Sequence, residues 1–202
     1  MKNTTAIALL ILTNSAWIAS PSYAQHLAFN DGMEIHLPSY ENKRANPDGS
    51  DSVCVDVNQS ETITSICIYN KTSDKVARDN GFIKYGELSP EEKDRIPPLS
   101  DDALVYFEAG YSALYEVREE KIGDFIVYEA DNTLCDISET SEKRPAVCYV
   151  AALAISKKTN SPPAIFVSAV IEPPTPGGRL GKKAEAKINS IKRIIKSIKI
   201  AR

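Results

Sequence analysis

VCYVAALAI, residues 147–155, and AIFVSAVI, residues 164–171, decide the fold. Both runs are almost continuously apolar, with Lys157-Lys158 and Pro162-Pro163 in the segment between them. A strand with one wet face alternates apolar and polar residues, so a run without alternation needs cover on both faces. These runs are short for buried helices, and the reading is two central strands of a sheet with a layer on each side. The C-terminal segment supplies one layer. Ile188, Ile191, Ile195 and Ile198 recur at spacings of three and four, with Ala184 one turn earlier and lysines on the other face. That pattern predicts an amphipathic helix whose isoleucine stripe lies against the sheet.

The cysteines indicate how the outer strands are held. Cys54 and Cys67 are 13 apart, and so are Cys135 and Cys148. Four cysteines allow three pairings, and the equal spacing favours the two local ones. Setting Cys54 opposite Cys67 in a hairpin brings Val55 to Ile66 and Val53 to Ile68 on the other sheet face, with Asn58–Thr62 as the polar turn. Cys135 opposite Cys148 would set Leu134 beside Tyr149 and Ile137 beside Ala146. Each closed loop restricts the unfolded chain by about 3 kcal/mol. No C-x-x-C occurs and no histidine lies near a cysteine, which argues against redox or metal chemistry at these thiols.

Between these segments, residues 33–37 (MEIHL) alternate as a short strand ending at Pro38, and residues 41–52 are polar with a turn signal at Asn46-Pro47-Asp48-Gly49. Ser89-Pro90-Glu91-Glu92 predicts a capped helix start, and Pro97-Pro98 its end. Ser100-Asp101-Asp102 opens a helix or strand through Phe107. Residues 112–118 and 124–130 read as strands that turn through Glu119–Gly123.

The strand Gly32-Met33-Glu34-Ile35-His36-Leu37-Pro38, the antiparallel strands that follow, and a closing helix with the core Ile191, Ile194, Ile195 and Ile198 resemble the Mog1/PsbP-like α/β/α sandwich family. The resemblance implies an α+β fold, an antiparallel β-sheet with packed helices. To this the chain adds disulfide-stapled hairpins, and it ends on a C-terminal amphipathic helix. The family hosts adaptors, assembly factors and binding proteins, so the resemblance implies no site residues.

The N-terminus carries Lys2, an apolar core at residues 6–12 (AIALLIL) and Ser22-Tyr23-Ala24. This is the pattern of a secretory signal peptide over residues 1–24, cleaved after Ala24, followed by a single exported domain over residues 25–202. Periplasmic or secreted localisation follows. Charge is unevenly placed: residues 182–202 hold eight basic residues and one acid, whereas residues 25–181 hold 15 basic and 26 acidic. An acidic body attracts basic partners, and the simplest role of the basic tail is to neutralise that body in part.

Catalytic chemistry finds little support. Of the two histidines, His26 falls near the expected new terminus and His36 on a strand. No H-E-x-x-H or G-x-S-x-G occurs. Residues 177–182 (GGRLGK) fail as a phosphate loop, because Pro176 and Lys183 stand where Gly and Ser or Thr are required. Arg179, Lys182 and Lys183 at a helix start remain a candidate anion site. The acidic pairs Glu91-Glu92, Asp101-Asp102 and Glu119-Glu120 read as solvated, and the basic helix lacks the interleaved aromatics of a nucleic-acid binder. No catalytic residue, metal site or cofactor is assigned. The leading expectation is a non-enzymatic inhibitor or immunity-type protein that occludes a basic toxin or cell-wall hydrolase. Its candidate contact residues are Tyr106, Glu108, Tyr111, Tyr115, Glu119 and Glu120. The alternative is an envelope accessory factor that uses the basic C-terminal helix on anionic lipid or a larger complex.

Overall fold

The computed structural model describes residues 25–28, 34–45, 52–59, 62–138, 143–155, 162–173 and 180–201. The expected signal peptide, the Asn46–Gly49 turn and Arg179 lie outside the described residues. In chain order the elements are β1 (Gln25–Ala28), β2 (Glu34–Leu37), β3 (Glu41–Ala45), β4 (Ser52–Gln59), β5 (Thr62–Tyr69), α1 (Ser73–Asp79) and β6 (Phe82–Lys84). They continue with α2 (Pro90–Lys93), β7 (Leu104–Glu108), β8 (Ala113–Glu116), β9 (Arg118–Ile122), β10 (Phe125–Ser138) and β11 (Lys143–Ile155). The last are β12 (Ala164–Glu172), α3 (Lys182–Ser197) and β13 (Lys199–Ala201). The result is a mostly antiparallel β-sheet protein with a few helices.

The two apolar runs are β11 and β12, which sit side by side in a seven-stranded antiparallel sheet of order β3-β4-β5-β12-β11-β10-β9. On one face, Val55, Ile66, Ile68, Val127, Leu153, Val167 and Ile171 pack against α3 and against a small sheet of order β1-β2-β13. Ile188, Ile191, Ile194, Ile195 and Ile198 of the C-terminal segment are all buried there. Each such side chain contributes about 1.5–3 kcal/mol through removal from water, so this stripe fixes the helix. Two lysines depart from the expected solvent face. Lys187 donates to the Ile171 carbonyl at 2.7 Å, and Lys192 reaches inward to Glu120 and Glu129.

The opposite face of the sheet is covered over part of its width by α1 and a three-stranded sheet of order β6-β7-β8. Asp101 and Asp102 form a turn, and β7 follows as a strand. The Ser89 capping box forms as expected: Ser89 Oγ accepts from the Glu92 N–H, and the Glu92 carboxylate accepts from the Ser89 N–H at 2.8 Å. Those bonds, the backbone one first, hold the Glu92 carboxyl below its ordinary pKa.

Register corrects two expectations. Cys54 does pair directly with Cys67, with Val55 on Ile66 and Val53 on Ile68, and the disulfide forms. Its hairpin ladder extends further than expected, through Asn58↔Ile63 to Gln59↔Thr62. Cys135 and Cys148 are also bonded, but they are not opposite one another. Asp131 and Asn132 bulge from β10 against a single residue of β11, so Cys148 faces Thr133 and Cys135 faces Ala146, with Leu134 on Val147 and Ile137 on Arg144. Asn132 takes φ 63°, a left-handed conformation that asparagine tolerates. The second correction is the turn assigned to residues 119–123. Arg118-Glu119-Glu120-Lys121 form the edge strand β9, and the chain reverses at Gly123 (φ 60°) and Asp124. Charges suit an edge because they discourage pairing with a foreign strand. The polar residues 41–45 form the other edge, β3. Two disulfides suit an oxidising, extracytoplasmic setting, and no described helix is long and apolar enough to cross a membrane.

Candidate functional site

The half-covered sheet face carries the concave surface. One row of residues crosses it from edge to edge, Glu119, Tyr128, Ala152, Phe166, Cys67, Cys54 and Arg44, each paired with the next across the ladder. Above this row, α1 and β6 set Ala77 and Phe82 on Ala152, and Phe82 meets Tyr106 at 5.2 Å and Phe166 at 6.5 Å between ring centroids. This aromatic plug divides the face into two depressions, and Arg78 borders both.

The larger is an open groove of about 1180 Å³ over β4, β5, β12, β11 and β10. Its floor includes Ser65, Ser168 and Val150, and its wall is formed by the end of β7 and the turn after α1. Ile63 and Val170, 61% and 38% exposed, both line it. They are the exposed large aliphatic side chains among the described residues. The groove's cations are occupied: Arg44 pairs with Asp56 at 2.6 Å, Arg78 with Glu87 at 2.8 Å, and Lys187 with a backbone carbonyl. Glu108 and Asp136 also line the groove. Glu108 accepts from Tyr106 at 2.8 Å and Asp136 from Tyr111. Glu108 also accepts from the Gly110 N–H at 3.3 Å, and both carboxylates bring negative charge to the groove.

The smaller depression is a pocket of about 450 Å³ between α1, β6, β9 and β11. Ala152 and Ala154 form its floor, and Asp74, Lys84, Asp102 and Glu119 stand around it.

The six expected contact residues are not one patch. Tyr106 is buried, and burial followed by its bond to Glu108 pushes its hydroxyl pKa up. Tyr111 bonds Asp136, which with partial desolvation pushes it up to about 12. Tyr115 packs 6.2 Å from the Tyr106 ring and accepts the Leu134 N–H at 2.9 Å, so it supports the groove wall from behind. Tyr106 and Glu108 line the groove and Glu119 lines the pocket, whereas Glu120 pairs with Lys192 of α3. The anion-site expectation meets an internal competitor. Glu172 accepts from the Gly181 N–H at 3.4 Å at the start of α3, so the helix N-terminus faces a carboxylate of its own chain, while Lys182 and Lys183 are exposed. The isoleucine face that a membrane-surface helix would insert is spent on the core. His36 lies on the middle strand of the small sheet, 3.9 Å from Glu34.

Ile63 and Val170 escaped the sequence reading although a signal existed. Both are out of phase with the core residues of their own strands, Ile66 and Ile68 in β5 and Val167 and Ile171 in β12. Compared with known proteins, the chain matches no family model, no curated protein and no solved structure.

Proposed function

We propose that this chain is an exported, non-enzymatic protein-binding protein, released from its signal peptide after Ala24 into the periplasm or beyond, that occludes a polypeptide partner held in the open groove. The convergence of Ile63 and Val170 in one groove carries this reading, because scattered exposed aliphatics are ordinary and paired ones in a concavity mark interaction surfaces. The groove exceeds the usual volume of a small-molecule site. Both edges of the large sheet carry charged strands, which favours docking on the face over strand addition. Glu108 and Asp136 suit a basic partner, so an inhibitor or immunity-type protein acting on a cationic toxin or cell-wall hydrolase fits best. One helix packs on each face of the large sheet, α3 beside β1-β2-β13 and α1 beside β6-β7-β8, and on that ground a Mog1/PsbP-like sandwich is the scaffold we propose.

The test compares oxidised protein from residue 25 onward with its Ile63→Asp variant as immobilised baits for envelope and secreted fractions. The proposal predicts one stoichiometric protein retained by the parent, released as salt rises, and absent from the variant. Equal retention by both baits, or retention indifferent to salt, would overturn it.

A further inference from the structure

The smaller pocket points to a second ligand, of a different class from the groove's partner and independent of it. Its volume of about 450 Å³ falls in the range of small-molecule sites. Its floor is built from small residues. Ala152, the ladder neighbour of Tyr128, puts only a methyl group on the pocket floor beside that ring, with Ala77 and Phe82 lining the same pocket. Ala154 continues that floor.

The charges around the floor are not balanced. Lys84 is paired with Asp102 at 3.0 Å and Arg78 with Glu87 at 2.8 Å, so both cations of the lining are neutralised. The lining holds three carboxylates, Asp74, Asp102 and Glu119, against Arg78 and Lys84, so negative charge is in excess, and Asp74 also acts on Lys84. Glu119 is the direct ladder partner of Tyr128, and the two carboxylates act on the same hydroxyl: burial first, then Glu119 and Asp74, push the Tyr128 pKa up. A half-buried phenol ring bordered by two carboxylates is a favourable surroundings for a positive charge, through ion pairing and through the ring quadrupole. An apolar floor beside it selects a cation with a hydrophobic body.

We propose that this pocket binds an organic ammonium ligand, its apolar body over Ala152 and Ala154 and its charged nitrogen between Asp74, Glu119 and the Tyr128 ring.

Titration with three probes of one shape tests this: phenethylammonium, neutral 2-phenylethanol and anionic 3-phenylpropionate, followed by amide NMR shifts and calorimetry on the oxidised chain. Phenethylammonium should give saturable shifts at Asp74, Glu119, Tyr128 and Ala152. The alcohol should bind at least tenfold more weakly, and the anion not at all. Glu119→Gln, an exposed change at the sheet edge, should weaken the ammonium at least fivefold, and Ala152→Leu, which fills the pocket, should abolish its binding. Absence of saturable shifts, equal binding of the three probes, or full affinity in folded Glu119→Gln would overturn the assignment. Groove binding of a polypeptide should persist in Glu119→Gln, so failure here is distinguishable from failure of the groove.

Discussion

Replacing Lys192 with Met should destabilise the fold by about 3 kcal/mol, and the reason lies in a single buried carboxylate. Glu129 is 1% exposed on the α3 side of β10. Its Oε1 accepts from Lys192 at 2.8 Å and from Arg118 at 3.3 Å, and its Oε2 accepts from Tyr149 at 2.8 Å. Burial works against the Lys192 charge, but its bonds to Glu120 and Glu129 outweigh that and raise its pKa. Methionine preserves the apolar stem that packs beside the isoleucine stripe and deletes the ammonium. Removing one partner of a buried ion pair typically costs 3–5 kcal/mol, because the other charge is left without compensation. Arg118 stays in place, so the lower end, about 3 kcal/mol, applies. Replacing both Glu129 and Lys192 by apolar residues should cost far less than the single changes imply, since no charge is then stranded. Urea unfolding of the oxidised parent, both single variants and the double variant reads this directly. A Lys192→Met midpoint indicating a loss within about 0.5 kcal/mol, the range of ordinary surface changes, would refute the buried-network account of how α3 is held.

Three further outcomes follow from the same geometry. Ile63→Asp should change stability by no more than about 0.5 kcal/mol, as expected for a mostly exposed position, while lowering affinity for a groove partner at least tenfold in a direct binding titration. Changing Cys54 and Cys67 together to serine should cost about 3 kcal/mol in urea unfolding under non-reducing conditions, from the loss of loop restriction. On the alkaline side, Tyr106, Tyr111 and Tyr149 all have folded pKa values raised above about 10, the unfolded value. Their contribution is therefore complete below pH about 10 and falls as pH rises through the folded values, about 12 for Tyr111. Absorbance titration at tyrosinate wavelengths should show a fraction of tyrosines that ionise only with unfolding.

Local rules carried much of this fold. Apolar runs without alternation located β11 and β12, period-two pairing located the Cys54–Cys67 ladder, and the isoleucine spacing located α3 and its buried face. What local rules missed was set by tertiary context. The two-residue bulge at Asp131 and Asn132 shifted the second cysteine pair off its simple register, and nothing in a polar Asp-Asn pair inside a strand distinguishes a bulge from a turn. The short strand β13 pairs with β2, more than 160 residues away in the chain, a contact that no local window contains. The site was less legible than the fold. The tyrosines from Tyr106 to Tyr115 read as candidate contacts of which at least half belong in the core, and the structure buries Tyr106, bonded to Glu108, and ties Tyr115 to the Leu134 backbone. The pocket floor at Ala152 and Ala154 registers in sequence only as small apolar residues in a buried strand.

The groove around Ile63 is proposed to hold a polypeptide partner. Its most direct test places a photo-crosslinking phenylalanine analogue at position 63 and, separately, at position 193 on the exposed side of α3, with irradiation in the living host and identification of the adducts. The account predicts one protein adduct at position 63 with no counterpart at 193. The same adducts at both positions, or adducts at 193 alone, would contradict it.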